Sequence, residues 1–427
     1  MGVAALAYIH IIRGVNIIVV KMNKQNIKIN KCQIFKLMII IIWSFNTIIN
    51  YAAVFMGKFP VLGTILQDYT PAILIIILSL INYKIILNSL TKIDYCIVFI
   101  VVTCIIITVL VDSFKNIYFR EYIYDLLFTC IPIYIITVCY IKRLLNTRFI
   151  QMLEYNSCLC IISVILAFSF SNVTAAVQDT WMSNQYIAYL MLPHVLLLIS
   201  SQFSRFNFIK FFIMNMGIIY IILQGNRGTL ICIASLFCML MLYKLKNNKN
   251  NILKQSIALS VFSIIGCYFN LFNSILAYLE NFAESNGYST RIFMLFNGNF
   301  QQIEFDSGRS YLQNILIENL MYNPYGFGLG ADKYFVGEYA HNVFLEILFE
   351  FGIILGTPIV VFIIGLTIVN AFALYKNWES WVFFSLLFSI SIVKLCISGT
   401  YITDPFFFAY IAMLLHTKNI KQSINII

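Results

Sequence analysis

Stretches of about 17 to 25 residues rich in leucine, isoleucine and phenylalanine recur along almost the whole chain. Each is long enough, at ~1.5 Å per helical residue, to cross a hydrocarbon core of about 30 Å. Inside lipid every backbone N–H and C=O must find its partner within the protein, so such runs fold as helices. Because they are continuous and not alternating, a β-barrel is excluded. The composition agrees, since 61% of the residues are hydrophobic and only 11% charged. The fold class expected is an all-α polytopic membrane protein of about 12 transmembrane helices. Spans are placed near 34–56, 68–90, 93–111, 121–141, 156–176, 185–203, 207–224, 228–243, 255–279, 341–375, 381–398 and 400–416.

This divides the chain into a segment 1–33, nine helices over 34–279, one large loop over 280–340, and three helices with a short tail over 341–427. Residues 1–20 are apolar but interrupted by Arg13 and carry no small-residue cleavage site, and Met22 follows them. They are set apart as a dubious extension with a mis-assigned start.

Lysine and arginine sort strongly between the two sides of this arrangement. One side collects nineteen, including Lys84, Lys92, Lys210, Lys244, Lys246 and Lys376, and the other eight, including Arg227, Arg309, Lys333 and Lys394. The richer side is cytoplasmic, which puts both termini there. The net charge of +10 is thereby a matter of topology, and nucleic acid is not an expected partner. The eleven cysteines lack paired CxxC spacing, so neither a disulfide framework nor a zinc site is suggested. No internal repeat stands out, nor the paired broken segments that mark many transporters.

The loop over 280–340 is the outlier among otherwise short connections, and long loops in compact proteins usually carry function. "DSGRSYLQNILIENLMYNP" offers Asp306 and Ser307 as caps, an amphipathic run through Leu312, Leu316 and Leu320, and a stop at Asn323-Pro324. Gly326, Gly328 and Gly330 then give a tight backbone path before the chain re-enters the membrane at His341.

Two arginines face this outer side. Arg309 begins the loop helix, where free backbone N–H groups favour an anion, and Arg227 lies in the very short turn "LQGNRGTL". Guanidinium forks suit phosphate oxygens. The plainer alternatives are that Arg227 snorkels or pairs with a carboxylate, and that Arg309 is solvated. His341 alone would cap or pack. Asn342, Glu346 and Glu350 follow at i, i+4, i+8 on one helix face, and ionisable groups so placed face a bundle interior. Lys394 near the outer end of the next span is a structural partner for either glutamate, as plausible a role for them as acceptor binding or tuning of His341.

Three patches of the chain resemble the O-antigen polymerase and O-antigen ligase superfamily of membrane glycosyltransferases. "QGNRGTL" is similar to the family's short Ser/Asn-Arg-Gly turn. "GRSYLQNILIENLMYNPYGFGLG" is similar to its Gly-Arg, helix, Asn-Pro, Gly-x-Gly segment, and "AHNVFLEILFEFGIILG" to its His-Asn, apolar, Glu-x-Gly run. Their order agrees, as does "GTYITDPFFFAYIAMLL" near the C-terminus; elsewhere the likeness is one of hydropathy.

The resemblance implies transfer of a lipid-linked glycan at the periplasmic face of a bacterial inner membrane. Undecaprenyl-pyrophosphate-linked oligosaccharide would serve as donor and acceptor, with a chain-length regulator in the same membrane as partner. Arg227 and Arg309 would bind the donor pyrophosphate, and His341 would act as general base in a single, inverting displacement with no metal and no cofactor. Glu338, Tyr339 and Ala340 stand where the ligases often carry a second histidine, which favours a polymerase over a ligase that transfers to lipid A core. A flippase for lipid-linked oligosaccharide is the reading from a different class, in which the arginines would line a path and no base would be needed. A structural subunit of the assembly complex is a third, and it would leave these residues dispensable.

Overall fold

The computed structural model describes residues 82–111, 122–143, 147–170, 184–247 and 309–417, with scattered residues between 73 and 80 and between 277 and 285. The expected span 34–56, nearly all of 255–279, the first part of 68–90, the loop over 286–308 with its caps Asp306 and Ser307, and both chain ends lie outside the described residues.

All regular structure among the described residues is helical. In chain order the helices are α1 (Tyr83–Ser89), α2 (Lys92–Val111), α3 (Ile131–Arg143), α4 (Thr147–Phe170), α5 (Asn184–Ser204), α6 (Phe208–Leu223) and α7 (Arg227–Asn247). Beyond residue 308 come α8 (Arg309–Tyr322), α9 (Ala331–Val336), α10 (Val343–Leu374), α11 (Trp378–Phe388) and α12 (Pro405–Leu415). Wider turns at Leu126–Cys130 and Ser389–Val393 extend α3 and α11. Among the described residues, helices stand where the spans 93–111, 121–141, 185–203, 207–224 and 228–243 are expected, with ends shifted by a few residues.

Four of these helical stretches are long and apolar enough to cross a membrane: Tyr122–Ile141, Ile187–Ser204, Arg227–Lys246 and Val343–Leu374. A fifth forms if α1 and the Lys92–Thr108 part of α2, which meet at 104°, count as one broken span. Ile150–Leu166, Phe208–Leu223, Trp378–Val393 and Pro405–Leu415 are apolar but shorter. The chain is thus a membrane protein of packed helices. α5 is central, with α4, α6 and α7 against it, and α12 lies along α3. Buried side chains such as Tyr134, Met191, Leu192, Phe384 and Tyr410 fill the contacts in one continuous core.

The ends of α7 distinguish the two ends of the bundle. Arg227 opens the helix and Lys244 and Lys246 close it, roughly 30 Å away. Both ammonium groups lie 4.8 Å from aromatic rings, of Trp378 and Tyr375 respectively, where the helix dipole also favours a cation. Trp378 donates from Nε1 to Ser204 Oγ (3.0 Å) and the Tyr375 hydroxyl donates to the Leu242 carbonyl (3.1 Å), tying four helices at this end.

The expected single span at 341–375 is broken. At ~1.5 Å per residue a straight helix of 32 residues would measure roughly 48 Å, well beyond a hydrocarbon core. Gly352 interrupts it with φ 75° and ψ 169°. The segment Pro324–Gly328 takes up the freed backbone groups: Phe327 N–H donates to Phe349 C=O (3.1 Å), Gly328 N–H to Glu350 C=O (3.0 Å), and Ile353 N–H to Pro324 C=O (2.8 Å). The halves bend so sharply that a Cβ on Gly356 would lie 3.0 Å from Leu348 Cα. A half-helix, Val343–Phe351, therefore sits beside a helix of membrane-spanning length. The loop helix α8 packs on it through Leu316 and Leu320, joined by Ala331, Ala340, Leu345 and Phe349 in a second, smaller core.

Candidate functional site

The site lies at the Arg227 end of the bundle, where the loop after α8, the turn before α7 and the α11–α12 connection meet. Arg227 is the first residue of α7 and is half-buried. The turn that holds it is set by Gly225 (φ 71°) and by Asn226, whose Oδ1 accepts from Thr229 N–H (3.2 Å) while its carbonyl accepts from the Thr229 hydroxyl (2.9 Å). Asn226 also bonds the Tyr189 side chain, as does Ser398. Gly228 leaves room for that tyrosine, because a Cβ there would stand 2.2 Å from the Tyr189 hydroxyl.

Tyr189 links the turn that carries Arg227 to Arg309, which acts on the same hydroxyl electrostatically. Arg309 opens α8 as expected and is half-buried. α8 is held to the chain before His341 by Gln313, whose Nε2 donates to the Ala340 carbonyl (3.2 Å).

His341 departs most from ordinary backbone geometry. Its φ of 52° makes it the one non-glycine residue with positive φ among the described residues, and such conformations cost about 1–3 kcal/mol and gather at functional sites. Its ring meets Tyr339 edge-on at 5.8 Å, and Nε2 lies 3.5 Å from Glu338 Oε2. Nδ1 is buried and makes no hydrogen bond, and the Ile397 backbone faces the ring. Burial, then the nearby Arg309 charge, lowers the imidazole pKa below its ordinary 6.5, with Glu338 opposing. The ring is neutral at pH 7, as a proton acceptor requires.

The three residues after His341 on the expected helix face divide into two roles. Asn342 is the N-cap of α10, its Oδ1 accepting from Phe344 N–H (3.1 Å) and Leu345 N–H (3.3 Å). Glu346 and Glu350 do turn inward together, both buried. Glu346 accepts from the Thr400 hydroxyl and from Tyr401 N–H (3.4 Å); Glu350 accepts from the Tyr401 hydroxyl and from Gly330 N–H (2.6 Å). Lys394 pairs with neither glutamate. Its ammonium sits 2.5 Å from Asp404 Oδ2 and 5.6 Å from the Tyr189 ring, because the α11–α12 connection brings Asp404 nearer.

One participant gives no signal in the sequence. Asp332, one of several acids in the loop, is buried with one carboxyl oxygen within 4.8 Å of oxygens of Glu346 and Glu350, although the sequence suggests no metal-ligand set. Its Oδ2 accepts from Ala340 N–H (2.9 Å), fixing the backbone next to His341. Burial raises the Asp332 pKa, against the backbone N–H groups of Ala340 and Lys333 and the Lys333 charge. Tyr189, Asn226, Thr400 and Tyr401 are likewise absent from the expected site. Thr400 and Tyr401 lie in the C-terminal patch "GTYITDPFFFAYIAMLL", whose polar residues were the available signal.

Chemically, a guanidinium close enough to a neutral imidazole to act on it, with a second arginine opening the neighbouring helix α7, can bind an anion and accept a proton at one end of the bundle. No family model, curated protein or solved structure matches the chain.

Proposed function

We propose that the protein is a surface-polysaccharide polymerase of the inner membrane. It moves a growing glycan from undecaprenyl pyrophosphate to a sugar hydroxyl of an incoming lipid-linked repeat unit, on the periplasmic side, with both termini cytoplasmic. The supporting observation is that Arg309 is close enough to act electrostatically on both His341 and Tyr189, the side chain bonded to the Arg227 turn, which puts the three residues at the same end of the bundle. Arg227 and Arg309 bind the pyrophosphate and offset the charge that grows on it as the anomeric carbon–oxygen bond breaks. His341 takes the proton of the attacking hydroxyl, and attack from the opposite face inverts the anomeric centre. These steps need only the arginines and the imidazole. A translocation path would have no use for a neutral base at the same point, which weighs against a flippase.

The deciding experiment incubates the purified protein in nanodiscs with undecaprenyl-pyrophosphate repeat units alone. Longer lipid-linked chains are expected. His341→Ala should lower the rate ~10²–10⁴-fold and Arg309→Ala ~10²–10³-fold while both proteins still insert. Chains transferred only when a lipid A acceptor is added would mean a ligase, and unchanged rates in both variants would sink the site.

A further inference from the structure

We propose that Asp332, Glu346 and Glu350 hold one hard divalent cation of about the size of calcium, fastening the loop helix α9 to the half-helix that begins α10. The inference goes beyond the transfer reaction and does not depend on it.

The charge arrangement motivates it. Three buried carboxyl groups offer oxygens that all lie within 4.8 Å of one another. Among the described residues neither glutamate forms an ion pair, and the one cation acting on Asp332 is Lys333, whose ammonium lies 5.6 Å from the Tyr122 ring and 5.7 Å from the Tyr339 ring. Two like charges this close in a low dielectric repel strongly unless neutralised. Protons shared among the carboxyl groups would be one answer and a bound cation is the other, and the backbone donors restrict where a proton could sit. Backbone N–H groups of Gly330, Ala340 and Tyr401 can only donate, and they already use one oxygen on each of the three carboxyl groups as an acceptor.

A second observation points to a ligand. Asp332 Oδ1 is buried and makes no hydrogen bond, and neither does the hydroxyl of Tyr122, which is 4% exposed. Tyr122 interacts electrostatically with all three acids, Asp332 most strongly. An unpartnered carboxylate oxygen and an unpartnered neutral oxygen beside one acidic cluster are the donors a hard cation takes up. All donors are oxygen, which excludes a soft metal. Three oxygens within 4.8 Å of one another can all meet one calcium ion at bonds of about 2.3–2.6 Å, and a buried set of protein oxygens suits calcium better than magnesium, which usually keeps several of its waters.

The consequence reaches the cleft. Because Asp332 also binds Ala340 N–H, a cation there fixes the backbone that presents His341. The test is equilibrium binding of radioactive Ca²⁺ to the full chain in nanodiscs after chelator treatment. One saturable site per chain is expected, with an affinity reduced at least about tenfold in both Asp332→Asn and Glu350→Gln and unchanged in Glu379→Gln, an exposed acid elsewhere. Ca²⁺ should also raise the unfolding temperature of the parent protein. If the two variants do not insert, Tyr122→Phe serves, with a smaller loss of affinity expected. Absence of saturable binding, or equal affinity in every variant that folds, overturns the proposal.

Discussion

Gly326 and Gly352 meet backbone to backbone: a Cβ on Gly326 would lie 2.4 Å from Gly352 N, and one on Gly352 would lie 2.6 Å from Gly326 N and 2.3 Å from the Tyr325 carbonyl carbon. Both have positive φ, 91° and 75°. Here the loop closes the gap in α10, so each position needs glycine for space and for conformation.

Gly352→Ala should therefore cost more than left-handed strain alone, which is about 1–2 kcal/mol for a non-glycine residue. Gly337 gives the left-handed strain alone, with φ 80°, ψ −13° and nothing within 4 Å of an added Cβ, whereas Gly352 at ψ 169° adds a backbone region essentially confined to glycine to its close approach. Thermal unfolding in nanodiscs should show Gly337→Ala slightly destabilised and Gly352→Ala several degrees lower still, with the loop newly open to protease. Equal shifts for the two would refute the close approach.

The pH dependence of transfer should report His341. Its pKa is lowered by burial and by Arg309, so the acid limb of kcat/KM should fall below about pH 6.5. Glu338 works in the other direction, so Glu338→Gln should move the limb further towards acid without abolishing activity. For stability the sign is the same: the fold favours the neutral ring, a contribution complete above pH 6.5 and lost as pH falls below it. A limb that moves up in Glu338→Gln would contradict the assignment.

Gly228→Ala tests whether the Arg227 turn must sit against Tyr189. The new methyl would stand 2.2 Å from the tyrosine hydroxyl and 3.1 Å from Ile397 Cγ2, so the turn or the tyrosine has to move. A displacement of about 1 Å at a positioning group costs on the order of 10²-fold in rate. Transfer assays should show that loss together with an unfolding temperature lowered by a few degrees, since the turn is buried and overpacking costs about 1–3 kcal/mol.

The helices were legible because hydrophobic runs of membrane length leave the backbone no alternative, and α2, α3, α5, α6 and α7 fall where those runs do. The α8 face through Leu316 and Leu320 followed from its period. The break in α10 did not, because "LFEFGIILG" is continuous in hydropathy and only the pairing with Pro324–Gly328 reveals it. Arg309 and His341 were readable from residue type at a loop–helix boundary. Asp332 was not, because its meaning depends on a fold that brings it to Glu346 and Glu350. Asn342 looked like part of that acidic face, but a residue that starts a helix turns its side chain back onto the backbone.

Lys394 supplies the last prediction. Its pairing with Asp404 leaves an acid that is 3% exposed with its lysine as the ion-pair partner, while Asp404 Oδ1 caps α12 by accepting from Phe406 N–H (2.8 Å) and Phe407 N–H (3.1 Å). Lys394→Met removes the compensating charge and should cost about 3–5 kcal/mol, because a buried carboxylate is left uncompensated. Adding Asp404→Asn removes that charge while keeping a side-chain oxygen for the cap, so the double variant should regain most of the loss. Chemical denaturation of the three variants in mild detergent measures the coupling. Were Lys394 paired instead with Glu346 or Glu350, the Asp404→Asn change would add to the damage, and the two effects would simply sum.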